Sequence, residues 1–77
     1  MSPFEEGINH PRGDLAGTGT ESESKQECAT RCLRDNECKA MTFVHHPDGV
    51  GGICWLKGTI NSATPHPDMV SAVKMYP

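Results

Sequence analysis

CATRCLRDNEC, residues 28–38, is the stretch whose reading decides this fold. It holds three of the four cysteines, and the fourth is Cys54. Cys28 and Cys32 are one helical turn apart, and Ala29 and Leu33 repeat the step beside them, so the four form a narrow apolar stripe on a helix. Lys25, Gln26, Arg31 and Arg34 take the outer face. Just upstream, Ser24 and Glu27 have the spacing of a capping box, in which each side chain meets the other residue's backbone N–H. Glu21 and Glu23 add acidic charge near the positive end of the helix. Asp35 and Asn36 are stop residues. A helix is therefore expected over 24–35.

Cysteines at this spacing admit three uses. A structural zinc site favours two close pairs separated by two to four residues. Here the gaps are three, five and fifteen residues, and Cys38 and Cys54 make no second knuckle. A catalytic thiolate needs a lowered pKa and a base; Cys28 near a helix N-terminus has the first, but three companions would oxidise with it outside the cell. Two disulfides remain. A chain of 77 residues, 35% of them hydrophobic, buries too little apolar surface to offset chain entropy comfortably, so a staple is expected. Bridging Cys28 to Cys32 within one helix is awkward for the dihedral. Cys32 reaches Cys38 easily once the chain turns back after Asp35, which leaves Cys28 for Cys54. In the chain-entropy model these closures contribute about 2.3 and about 3.5 kcal/mol.

Working outward, residues 38–45 (CKAMTFVH) are rich in strand formers, with Met41 and Phe43 on one face and Ala40, Thr42 and Val44 on the other. Residues 46–52 (HPDGVGG) have turn chemistry, and 53–57 (ICWLK) read as the second strand of an antiparallel hairpin. Residues 58–68 read as a long polar connection stiffened by Pro65 and Pro67. Residues 69–75 read as a last strand. Residues 1–20 are expected to be irregular, with short extended pieces near 4–7 and 15–18. The sum is an α+β domain: one helix packed on an antiparallel sheet. Residues 1–3 read as an expression start or linker, and 4–77 as one domain.

The formal net charge is −3, with lysines and arginines scattered, which argues against nucleic acid and a polybasic membrane patch. No apolar run is long enough to span a bilayer. No secretory leader is visible, so an extracellular domain is expected to have lost one or to be excised from a longer chain. Paired cysteines place the domain in an oxidising setting: extracellular, periplasmic or at the cell surface.

With these pieces in order, the sequence resembles the PAN/apple domain family, in particular the short four-cysteine modules of bacterial secreted proteins. The resemblance rests on Gly13-Asp14-Leu15, on Cys28, Cys32 and Cys38 at their spacing, on Ala40-Met41-Thr42-Phe43, on Cys54-Trp55-Leu56-Lys57, and on the closing Val-Ser-Ala-Val-Lys. It runs from about Phe4 to Met75. It implies a helix cradled by four to six antiparallel strands, and a nested pairing of first cysteine with fourth and second with third. It also implies a non-catalytic extracellular module that contacts protein or carbohydrate, usually beside other domains in a longer chain. Longer apple domains join their ends by a further disulfide; this chain has no cysteine before residue 28, so their partner specificity does not transfer.

The candidate binding residues are Trp55, His46, Asp48, Arg31, Arg34 and Lys39. Trp55, the sole tryptophan, suits stacking on a sugar ring, but a core or half-buried strand position is expected, because a domain with so few aromatics needs them inside. His46 and Asp48 lie in a loop held by a hairpin, where function concentrates. Arg31, Arg34 and Lys39 would make a basic spot at the helix end, a placement that also complements the helix dipole. His45 and His46 alternate across a strand end and His66 lies far along the chain, so solvated loop histidines are expected rather than a metal cluster. Asp14, Asp48 and Asp68 lie in separate segments without a catalytic spacing. The sequence implies no cofactor and no metal. The leading function is a recognition module; the alternatives are an architectural spacer without its own ligand and, further behind, a zinc-binding or thiol-dependent protein.

Overall fold

The computed structural model describes residues 1–15 and 17–75. These form β1 (Glu5–Asn9), β2 (Thr20–Ser22), α1 (Lys25–Arg34), β3 (Ala40–His45), β4 (Gly52–Lys57) and β5 (Thr64–Val73). The strands make one antiparallel sheet in the order β1-β5-β3-β4-β2. The α+β expectation of one helix on an antiparallel sheet holds, and five strands fall within the range the family resemblance implied.

The helix begins as its sequence says. Ser24 is extended, and its hydroxyl accepts the Glu27 N–H at 3.1 Å. The reciprocal half of the capping box is replaced, because the Glu27 carboxylate engages Arg31 one turn later. The helix closes with Asp35 N–H donating to the Cys32 carbonyl at 3.2 Å. The Asp35 carbonyl, beyond the last turn, accepts the Cys38 N–H at 3.1 Å and the Lys74 ammonium at 2.7 Å.

Of the expected stripe of α1, Cys28, Ala29 and Cys32 are buried, the cysteines among Met41, Phe43, Cys54, Leu56 and Ala72, whereas Leu33 at the helix end is 53% exposed. Met41 and Phe43 share a face, as their alternation requires, and the register pairs them with Leu56 and Cys54 on one side and Ala72 and Val70 on the other. Met1, Phe4 and Leu15 close the rim of this core. Both disulfides have the nested connectivity: Cys28–Cys54 ties α1 to the middle of β4, and Cys32–Cys38 ties the end of α1 to the lead into β3. Their Cα–Cα separations are 5.4 and 5.2 Å.

Two expectations are corrected. Residues 58–68 are not all connection, because β5 begins at Thr64. Its first half pairs only with β1 (Ile8 with Pro65, Asn9 with Thr64), while β3 joins from Met69 onward. With one side of that half open, Pro65 and Pro67 can lack an N–H without breaking a two-sided ladder. The register shifts between Glu6 and Ile8, where Gly7 takes φ 73°. The extended piece expected at 15–18 is instead a turn, with Thr18 N–H and hydroxyl both donating to the Leu15 carbonyl at 3.3 and 2.7 Å. The strand comes later, as β2, whose three polar residues pair with Gly52, Ile53 and Cys54. Ala16, inside the expected piece, lies outside the described residues, as do the last two positions of the expected 4–77 domain.

Candidate functional site

The turn that joins β3 to β4 is built by local hydrogen bonds. Gly49 N–H donates to the His46 carbonyl at 2.9 Å, and Val50 N–H donates to Asp48 Oδ1 at 2.9 Å. The Asp48 carboxylate thus shapes the turn, leaving Val50 three-quarters exposed at its tip. His46 leans from the base of the turn onto Glu21 of β2, with Nε2 2.9 Å from the carboxylate. That hydrogen bond, helped by the charges of Glu21 and Asp48 and only partly opposed by desolvation, raises the His46 pKa above its usual 6.5.

Glu21 is also the anchor for the helix. Arg31 Nη2 donates to the Glu21 carbonyl at 2.7 Å and to the Glu27 carboxylate, while Nη1 donates to the Thr20 hydroxyl at 3.1 Å. Arg31 therefore clamps α1 to the edge strand β2, and Glu21 bridges Arg31 to His46. Between α1, β2 and the turn lies an open cleft of about 670 Å³, rimmed by Glu23, Glu27, Arg31 and Val50. A second open cleft, about 590 Å³, continues past the helix end and shares Arg31 with Arg34. Three of the residues singled out in the sequence, His46, Asp48 and Arg31, thus meet around one edge of the sheet. Arg34 stands on the adjoining slope. Lys39 is exposed at the entry to β3 and lies outside the lining of both clefts.

Trp55 is elsewhere. It alternates with Cys54 and Leu56, so it points to the face of the sheet away from α1, half-buried beside Gly19. The same alternation carries Lys57 to that face, where its side chain is 94% buried, pairs with Asp14, and has Nζ 6.0 Å from the Trp55 ring centre. This face carries a mixed layer: Thr42, Lys57, Ser71 and Ala40 are buried, with Val44, Trp55 and Met69 half-buried beside them. Ser71 donates to the Ile8 carbonyl at 2.7 Å, so the Thr42 hydroxyl donates to Ser71 at 2.8 Å. His10 is 7% exposed and lies between two acceptors: Nδ1 is 2.8 Å from the Asn61 carbonyl and Nε2 is 2.9 Å from Glu5 Oε1. Burial pulls its pKa down, but the bonds to Glu5 and Asn61 outweigh this and the net shift is upward from 6.5.

Residues 10–14 form a strap across this layer, fastened along its length to the segment after β4. Asn61 Nδ2 donates to the Pro11 carbonyl at 2.8 Å and Gly58 N–H to the Gly13 carbonyl at 2.8 Å. Arg12 sits mid-strap with φ 69°, the one non-glycine residue in the left-handed region among those described. Arg12, Asp14, Thr42, Trp55 and Lys57 line a cleft of about 270 Å³. Sequence reasoning missed Arg12 and Lys57. The signals were present: Pro11 and Gly13 flank Arg12 with turn residues, and Lys57 is two positions from Trp55 and so shares its strand face.

No curated protein and no solved structure matches the chain. The sequence pattern of the PAN domain matches residues 8–57, from within β1 to the end of β4, and takes in all four cysteines, the strap and Trp55. That match spans well over half of the chain and agrees with the nested disulfides and the helix-on-sheet architecture: the chain belongs to the PAN domain family.

Proposed function

We propose that this domain is a non-catalytic extracellular recognition module that binds a protein or carbohydrate ligand, working as one part of a larger secreted or surface protein. The observation that carries the proposal is membership in the PAN domain family, whose members are generally protein- or carbohydrate-binding modules, together with two intact disulfides that suit an oxidising compartment. The architecture supports it. Two covalent ties and a compact core carry the turn at 46–51, the strap at 10–14 is hydrogen-bonded to the segment after β4, and binding residues favour loops on such scaffolds. His46, Asp48, Arg31 and Arg34 are our candidates for contact along the helix edge, and Trp55 for contact on the opposite face. Lys39 stands beyond the clefts as a peripheral candidate. No helix of the described residues is long and apolar enough to cross a membrane.

The test is a labelled, tetramerised form of the disulfide-intact domain applied to glycan and extracellular-protein arrays, since modules of this size gain from multivalency. Saturable binding to a defined subset, lost on reduction of the disulfides, is the expected outcome. Uniform silence on both arrays would leave the domain as an architectural spacer.

A further inference from the structure

We infer that the cleft on the helix-free face is a binding site for a sugar ring bearing a carboxylate, with Arg12 gripping the acid and Trp55 supporting the ring. The inference deepens the recognition-module reading and rests on it. Three observations converge.

Arg12 occupies a backbone conformation (φ 69°) that disfavours side chains, on a strap whose neighbours Pro11 and Gly13 are hydrogen-bonded in place. A glycine would sit there with less strain. A strained residue that persists because its surroundings over-determine it is characteristic of ligand clamps. The Arg12 side chain is exposed and makes no hydrogen bond or ion pair with the described residues. A guanidinium presents a planar fork that matches a carboxylate in two parallel hydrogen bonds.

The charge balance of the cleft selects the ligand's sign. Its lining includes two cations, Arg12 and Lys57, and one anion, Asp14. Lys57 and Asp14 satisfy each other, so one positive charge is left over on a chain whose net charge is −3. A single carboxylate completes the set.

Size and chemistry select the ring. The cleft, about 270 Å³, lies just below the roughly 300–1,000 Å³ range of drug-sized ligand pockets, and so suits a single ring better than a run of peptide. Trp55 contributes an apolar ring, half-buried and held by its close approach to Gly19. The Asn9 amide and the half-exposed Asp14 carboxylate supply a donor and an acceptor for ring hydroxyls. A uronic acid residue, free or at the end of an oligosaccharide, has the matching parts: a carboxylate, a flat C–H face and hydroxyls.

The experiment titrates the disulfide-intact domain with glucuronate and a glucuronate-ended disaccharide. The controls are glucose and N-acetylglycine, a ring without the acid and an acid without the ring. Trp55 fluorescence reports directly, because it is the sole tryptophan, and a two-dimensional amide spectrum maps the contact. A saturable Trp55 response to the uronates is expected, at least fivefold weaker for either control. Arg12→Gly should weaken it at least fivefold while keeping the melting temperature, and Arg12→Lys should fall between. Equal response to glucose or to N-acetylglycine, or undiminished response in Arg12→Gly, would overturn the assignment. Silence from the uronates, with array ligands that bind without moving Trp55, would also overturn it, yet leave the recognition module standing. Silence from uronates and arrays together would remove both.

Discussion

His10 shows how one side chain couples this fold to pH. Its ring faces two acceptors, the Asn61 carbonyl and the Glu5 carboxylate, and only the doubly protonated ring donates to both. Folding therefore raises its pKa above 6.5. A raised folded pKa contributes stability that is complete below the unfolded value and drains away as pH climbs through the folded one. Urea titrations across pH 5–9 should show stability falling above about pH 6.5, with most of that fall removed in His10→Gln and a small residue left by the exposed His46–Glu21 pair. Gly19 offers a second test at this scale. A Cβ there would meet the Trp55 ring at 2.6 Å, on a backbone with φ 83°, whereas Gly49 has a similar φ of 79° and open space. Gly49→Ala should lose about 1 kcal/mol to backbone strain, and Gly19→Ala about 2–4 kcal/mol once overpacking against the ring is added, as read from denaturation midpoints. Neither His10 nor Gly19 announces its role in the sequence, because Asn61 and Trp55, which complete their surroundings, lie more than thirty residues away along the chain.

Among the elements, α1 was the most legible, since cap, stripe and stop all lie within a dozen residues and agree. The β3–β4 hairpin was legible for the same reason: strand formers on each side of a glycine-rich turn. The two edges were not. β2 is three polar residues that become a strand because β4 offers them a free edge, and the front of β5 carries two prolines that a one-sided ladder tolerates. The same division runs through the candidate site. Arg31, His46 and Asp48 sit in or beside locally determined elements and could be singled out as candidates; Arg12 and Lys57 come to line one cleft only because the strap folds against β4. The disulfides differ in what they tie together, so their removal should differ too. Replacing Cys32 and Cys38 by alanine should cost about 2.3 kcal/mol and leave the helix docked, whereas replacing Cys28 and Cys54 should cost about 3.5 kcal/mol before any packing loss. Both would be measured by guanidinium unfolding with helical circular dichroism as the probe.

On the scale of the whole molecule, the domain is two faces with different work. The helix side holds the covalent ties and nearly all of the apolar core; the other side buries hydrogen-bonded Thr42, Lys57 and Ser71 beside a strap, with Val44, Trp55 and Met69 half-buried among them. Sequence alternation foretold that faces would differ, but not that the far face would bury Thr42, Lys57 and Ser71, because the strap reaches it from a segment with no strand or helix pattern of its own. The first residues join the end of the last strand directly: Ser2 N–H donates to the Val73 carbonyl at 2.8 Å and Val73 N–H donates back to the Ser2 hydroxyl at 2.9 Å.

That closure gives the domain a mechanical character. Tension applied through residues 2 and 74 pulls apart two neighbouring antiparallel segments, so β1 and β5 should unzip bond by bond at low force rather than shear together. Unzipping then meets a fixed stop, because Cys28 and Cys54 are bonded across 26 positions and the chain between them cannot pay out. In single-molecule pulling, the oxidised domain should extend roughly 90 Å less than the reduced one, at about 3.5 Å per residue withheld. A module tethered by both ends would act as a short, compliant spring with a hard limit, yielding under flow while its disulfide-bound centre stays whole.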